Sequence, residues 1–135
     1  MSTENTLLSE KPFRVIIAGS RSFEDYELLR EKCDKILEKI LDRFGEIIIV
    51  SGTARGADRL GERYANDRGY AIERYPAQWD TYGKSAGYKR NAQMAENADA
   101  LIAFPVGVTK GTQHMIKIAT DARLHTRVIQ SQGNI

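Results

Sequence analysis

Short apolar runs rich in β-branched residues alternate along this chain with longer stretches in which apolar residues recur every three or four positions. The short runs, Phe13 to Ala18, Ile47 to Val50, Ala71 to Tyr75, Ala100 to Phe104 and Thr126 to Gln130, each predict a strand. Between the first two, Leu29, Cys33, Ile36, Leu37, Ile40, Leu41 and Phe44 form one apolar stripe, so Glu24 to Phe44 predicts a long amphipathic helix ended by Gly45. Ala57 to about Arg68, Tyr88 to Asn97 and Thr112 to about Arg123 predict three more helices, and Pro76 to Gly87 reads as an irregular loop. Five strands alternating with four helices predict an α/β fold: a doubly wound, mainly parallel five-stranded sheet with helices on both faces. Residues 1–12 read as a polar N-terminal tail, 13–130 as one domain and 131–135 as a polar C-terminal tail.

The chain is organised around Ile47 to Asp58, an apolar strand that stops at a small-residue loop. Four consecutive apolar residues suit a strand buried on both faces. Gly52 and Gly56 let the backbone turn sharply, and the helix that follows presents free N–H groups to the same spot. With Arg55 as the fixed positive charge of the loop, the stretch reads as an anion site at the carboxyl edge of the sheet. An ordinary tight connection with a surface arginine fits it equally well. Two other strands also end in glycine-containing loops, at Gly19 and at Gly107 to Gly111. In a parallel sheet the three loops meet at one edge, and their convergence is more specific than any one of them.

Composition narrows the function classes. A chain of 135 residues, 41% hydrophobic and 28% charged, suits one soluble globular domain, and no apolar run approaches the roughly 20 residues of a membrane span. A net charge of +2 does not by itself indicate a nucleic-acid or membrane surface. Cys33 is the single cysteine and reads as a packed core thiol, and His114 and His125 lack a carboxylate cluster, so no metal and no cofactor are expected. His125 reads as a solvent-exposed residue near a strand start. The acidic start of the chain has no signal-peptide block, and a cytoplasmic location is expected. Gly83-Lys84-Ser85 is not a P-loop, because Gln78 stands where its leading glycine is required. Gly19 is followed by Ser20-Arg21-Ser22-Phe23, so the dinucleotide-binding glycine fingerprint is absent as well.

Gly19-Ser20-Arg21, Ser51 to Asp58, Ala77-Gln78-Trp79, Ala86 to Met94 and Gly111 to Met115 together resemble the YspA family of the SLOG superfamily. The likeness runs from about Arg14 to Ala119. It implies a Rossmann-like fold and binding of a nucleotide or nucleotide-derived ribose-phosphate ligand, by a sensor or a processing protein. Two related branches supply alternatives. The LOG phosphoribohydrolases cleave the N-glycosidic bond of nucleoside monophosphates with an arginine and a glutamate; Arg90 and Gly111-Thr112 correspond here, but Met115 stands in the glutamate's place. Asp58 and Arg90 are then the candidate catalytic residues, Asp58 as an acid, a ribose-hydroxyl partner or simply a helix N-terminal charge. The DNA-processing protein DprA shares the loop from Ser51 to Asp58, which makes single-stranded nucleic acid the less favoured partner. In the preferred arrangement Gly19, Ser20, Gly52, Thr53, Gly111 and Thr112 give donors to phosphate, and Ser51, Gly56 and Asp58 of the same loop are also expected to bind the ligand. Arg21, Arg55 and Arg90 neutralise it through their bidentate forks. Trp79 and Tyr88 flank the base or ribose, and Asn91 bonds a hydroxyl. Glu96 and Asp99 fall too far along to act in such a site. A homo-oligomer is expected from the resemblance.

Overall fold

The computed structural model describes residues 11–130. The two predicted tails, apart from Lys11 and Pro12, lie outside the described residues. The chain builds β1 (Phe13–Gly19), α1 (Tyr26–Phe44), β2 (Ile47–Ser51), α2 (Ala57–Arg68), β3 (Ala71–Arg74), α3 (Trp79–Tyr82), a 3-10 turn (Gly83–Ser85), α4 (Ala86–Glu96), β4 (Ala100–Phe104), α5 (Lys110–Asp121) and β5 (His125–Val128). All four strand pairings are parallel, in the order β3-β2-β1-β4-β5.

Side-chain alternation along the strands divides the core in two. Val15, Ile17, Ile49 and Ile102 face one layer with Leu29, Cys33 and Leu37 of α1 and Tyr64 and Ala65 of α2. Ile16, Ala18, Val50, Leu101 and Ala103 face the other, against Met94 and Ala95 of α4 and Met115 and Ala119 of α5. Both faces of the three central strands are therefore covered, which is why β2 and β4 are buried along their whole length. Cys33 is fully buried in the first layer, and burial, with Asp34 adding to it, pushes its thiol pKa up.

Local chemistry sets the ends of the elements. The Asp25 carboxylate accepts from the Leu28 amide at 3.1 Å, so α1 starts two residues later than the apolar stripe predicts. Gly45, in the left-handed region at φ 77°, closes it. The segment Pro76 to Gly87, expected to be irregular, contains α3 and the 3-10 turn, and α4 begins at Ala86 rather than Tyr88. These short turns carry no apolar stripe and bury none of their residues, so periodicity could not reveal them. The last strand likewise begins at His125, one residue early; it is an exposed edge whose pattern is weak. His125 itself is exposed.

Candidate functional site

In the order β3-β2-β1-β4-β5 the chain reverses direction across the sheet between β1 and β4, and the loops after those strands part to leave a crevice. The loop after β1 is held against its neighbours at several points. A Cβ on Gly19 would stand 2.3 Å from the Phe104 carbonyl oxygen, so only glycine fits there. The Ser20 amide donates to that same oxygen, and the Ser20 hydroxyl accepts from the Val106 amide at 2.7 Å. Phe23, buried, packs its ring against Phe104 with centroids 5.1 Å apart. Ser20 thus serves to fasten two loops together.

The loop after β2 is closed by the protein's own groups. The leading amide of α2, at Ala57, donates to the Ser20 carbonyl at 3.2 Å. Gly56 allows this approach at φ 77°, where a Cβ would lie 2.3 Å from the same oxygen. The Ala54 amide donates to Asp58 Oδ2 at 3.1 Å. Ser51 donates to Glu62 at 2.6 Å and accepts from the Thr53 amide, while Glu62 pairs with Arg74. Thr53 adopts φ 67°, a left-handed conformation that a β-branched residue rarely takes. The leading amide that the sequence reading leaves open at this turn is therefore already bonded.

At α5 the arrangement is the opposite. Thr109 caps the helix without any side-chain hydrogen bond, and a Cβ on Gly111 would meet nothing within 4 Å. The amides of Lys110, Gly111 and Thr112, in the first turn of this 12-residue helix, have no hydrogen-bond partner among the described residues.

Between these loops stand Arg90 and Asn91 of α4. Arg90 Nη1 donates to the Gly52 carbonyl, and its Nε donates to Asn91 Oδ1 at 2.9 Å. Asn91 Nδ2 faces the Gly111 carbonyl at 3.4 Å and His114 Nδ1 at 3.2 Å, which makes Nδ1 the acceptor and leaves the imidazole proton on Nε2. Burial, helped by Lys117, holds the His114 pKa below its ordinary value. Its ring lies 4.3 Å from that of Tyr88. Arg90 and Asp58 also enclose Gly52, whose missing Cβ would be 2.8 Å from each.

The result is a cleft of about 390 Å³ lined by Gly19, Ser20, Arg21, Asp58, Arg90, Asn91, Gly111 and Thr112, with Thr109 at its rim and Met94 and Met115 as apolar lining. Asp58 is 5% exposed, and burial raises its pKa from 3.8 to about 6 against the Ala54 hydrogen bond and the charge of Arg90, which lower it. Burial likewise lowers the pKa of Arg90, with Asp58 opposing. Asp58 Oδ1 has no hydrogen bond within the described residues and is not sealed from solvent, so it is free to accept one.

The loops at Gly19, Gly52 and Gly111 do meet at one edge, but not all expected residues share this cleft. Arg55, Thr53 and Trp79 line a neighbouring concavity that meets the first at Arg21, Ala54 and Arg90. Tyr88 is exposed and lines neither. Glu96 and Asp99 lie in another hollow with Arg14 and Glu73. Thr109, Arg59 and His114 were not among the expected site residues. Thr109 could have been found from its place just before Gly111-Thr112, and Arg59 from its place in the first turn of the helix that follows Arg55; nothing in the sequence singles out the Asn91–His114 contact. Among the described residues no group of three or more His, Cys, Asp or Glu could hold a metal ion, and no helix is long and apolar enough to cross a membrane.

A parallel sheet in this order, with a polar cleft at the reversal of strand order, defines a Rossmann-like α/β protein. Comparison with known proteins narrows the class. The model of the YAcAr family, the YspA, cpYpsA-related SLOG family, matches residues 13–82, and the chain belongs to that family. It is also 34% identical over 115 residues to the Gene 61 protein of Mycobacterium phage D29, across 81% of this chain and 90% of that protein. The matched family segment ends before α4, so Arg90, Asn91 and the α5 turn lie beyond it.

Proposed function

We propose that the protein binds a nucleotide or a nucleotide-derived ribose-phosphate ligand in the cleft at the carboxyl edge of the sheet, as a sensor or a processing protein. One observation carries the reading: the open first turn of α5, the guanidinium of Arg90 and the free Oδ1 of Asp58 face one cleft. Amides at a helix N-terminus and a fixed cation suit a phosphate. A buried carboxylate that can still accept suits a ribose hydroxyl, and the Met94 and Met115 side chains give the sugar or base an apolar wall. SLOG family membership points toward nucleotide-related ligands in the same way.

A second reading, hydrolysis of an N-glycosidic bond, rests on Asp58 alone. Its pKa of about 6 suits proton transfer near neutral pH. Met115, buried in the cleft, offers no carboxylate.

Calorimetric titration of the purified chain with AMP tests the binding reading. Arg90→Gln, which keeps a donor but drops the charge, is expected to weaken AMP by tenfold or more, since a charge-assisted hydrogen bond contributes about 1.5–3 kcal/mol. Unchanged affinity in that variant, or no heat with the parent chain, contradicts it. Release of free adenine that stops in Asp58→Asn, with AMP binding retained, would establish the hydrolase instead.

A further inference from the structure

Beside the first cleft lies a second of about 370 Å³, and Arg21, Arg55, Arg59 and Arg90 all line it. Five of the eight arginines elsewhere are matched with acids, Arg14 with Glu73, Arg30 with Glu27, Arg63 with Asp67, Arg68 with Asp34 and Arg74 with Glu62, while Arg43, Arg123 and Arg127 stand apart from one another in the sequence. Arg21, Arg55 and Arg59 have no ion-pair partner among the described residues, and no carboxylate lines their cleft. Asp58 offsets Arg90 and Arg21 in part, but with Arg55 and Arg59 four guanidinium groups crowd one hollow in a chain whose net charge is only +2, and they repel one another unless an anion comes between them. Thr53, at φ 67°, forms part of the wall and is one of two non-glycine residues in the left-handed region among the described residues. Trp79, 51% exposed, forms another part.

Arg90 and Arg21 belong to both clefts. Because the two clefts meet at these arginines, a phosphate chain that begins in the first cleft can continue past Arg90 into the second. We propose that the second cleft is an oxyanion subsite for that additional phosphoryl group, so that the preferred ligand is a nucleoside carrying a chain of two or more phosphates. The proposal rests on the reading of the first cleft as a nucleotide site. All four arginines line a single concavity, which suits a compact phosphate chain better than a polymer backbone.

The test compares AMP, ADP and a short single-stranded oligothymidylate, titrated into the intact chain and into an Arg55→Ala/Arg59→Ala variant. Both arginines are exposed and unpaired, so the variant is expected to fold, and its melting temperature checks this. Trp79 is the only tryptophan, so its emission reports the second cleft in the parent chain without any substitution. ADP is expected to bind at least tenfold more tightly than AMP and alone to change Trp79 emission. In the double variant ADP should fall to the affinity of AMP while AMP changes less than twofold. If AMP binds and ADP gains nothing and leaves Trp79 unmoved, this proposal fails and the first-cleft reading stands. If neither nucleotide binds, both fail. Tighter binding of the oligothymidylate than of ADP, lost in the double variant, overturns the proposal in favour of a nucleic-acid strand.

Discussion

Asp58 is where the site departs most from what folding alone would favour. Its carboxyl is buried in the first turn of α2, and its pKa of about 6 lies above the ordinary 3.8. The native state therefore holds the proton more tightly than the unfolded chain does. The stability this contributes is fully present below pH 3.8 and is lost as pH rises through about 6; above that the ionised group costs roughly 3 kcal/mol, at about 1.36 kcal/mol per pKa unit. Asp58→Asn keeps an acceptor for the Ala54 amide and removes the charge. The variant is expected to gain stability over the parent as pH rises from 4 to 7, measured by denaturant unfolding at each pH, whereas a constant difference would contradict the assignment. At this scale the sequence was only partly informative. It marks Asp58, Arg90 and Asn91 as chemistry-bearing, but that Ser20 and Ser51 use their hydroxyls on Val106 and Glu62 depends on contacts between residues far apart in the chain.

The elements divide the work between two helix N-termini. Both α2 and α5 follow a strand and a glycine-containing loop, and on sequence alone both qualify as anion sites. The difference lies in what else reaches them. At α2 the leading amide donates to Ser20, and Asp58 supplies the negative charge that the helix dipole favours. At α5 the first turn has no acidic residue and no side-chain cap. The loop that dominates the sequence reading is consequently the closed one, and the later, less glycine-rich loop opens the helix that can take phosphate. This distinction was not legible, because the group that closes α2 is a backbone carbonyl from the loop after β1. It leads to a test in which stability and binding move in opposite directions. Thr109→Asp would place a carboxylate at the uncapped N-cap of α5, raising stability by about 1 kcal/mol while lowering AMP affinity at least tenfold. Chemical denaturation and calorimetry of one preparation check both. A more stable variant that binds AMP as well as the parent would remove α5 from the site.

For the molecule as a whole, the fold was legible because each central strand is an unbroken apolar run and each long helix carries its own stripe. The sheet order was not, since nothing local states which strand lies beside which. That order nevertheless fixes where a ligand can go: only at the β1–β4 reversal do two adjacent loops diverge, and there the α5 turn, Arg90 and Asp58 meet. At the opposite end of the sheet Arg14 is paired to Glu73 and bonded through its amide to Asp99. A single experiment separates the two ends. Backbone amide NMR of the uniformly ¹⁵N-labelled chain, recorded while AMP is added, is predicted to shift the amides of Thr109 to Thr112, Ser20 to Ser22 and Asn91, and to leave those of Arg14, Glu73 and Asp99 in place. Shifts confined to the Arg14–Asp99 end, or none at the carboxyl edge at millimolar AMP, would contradict the assignment of the site.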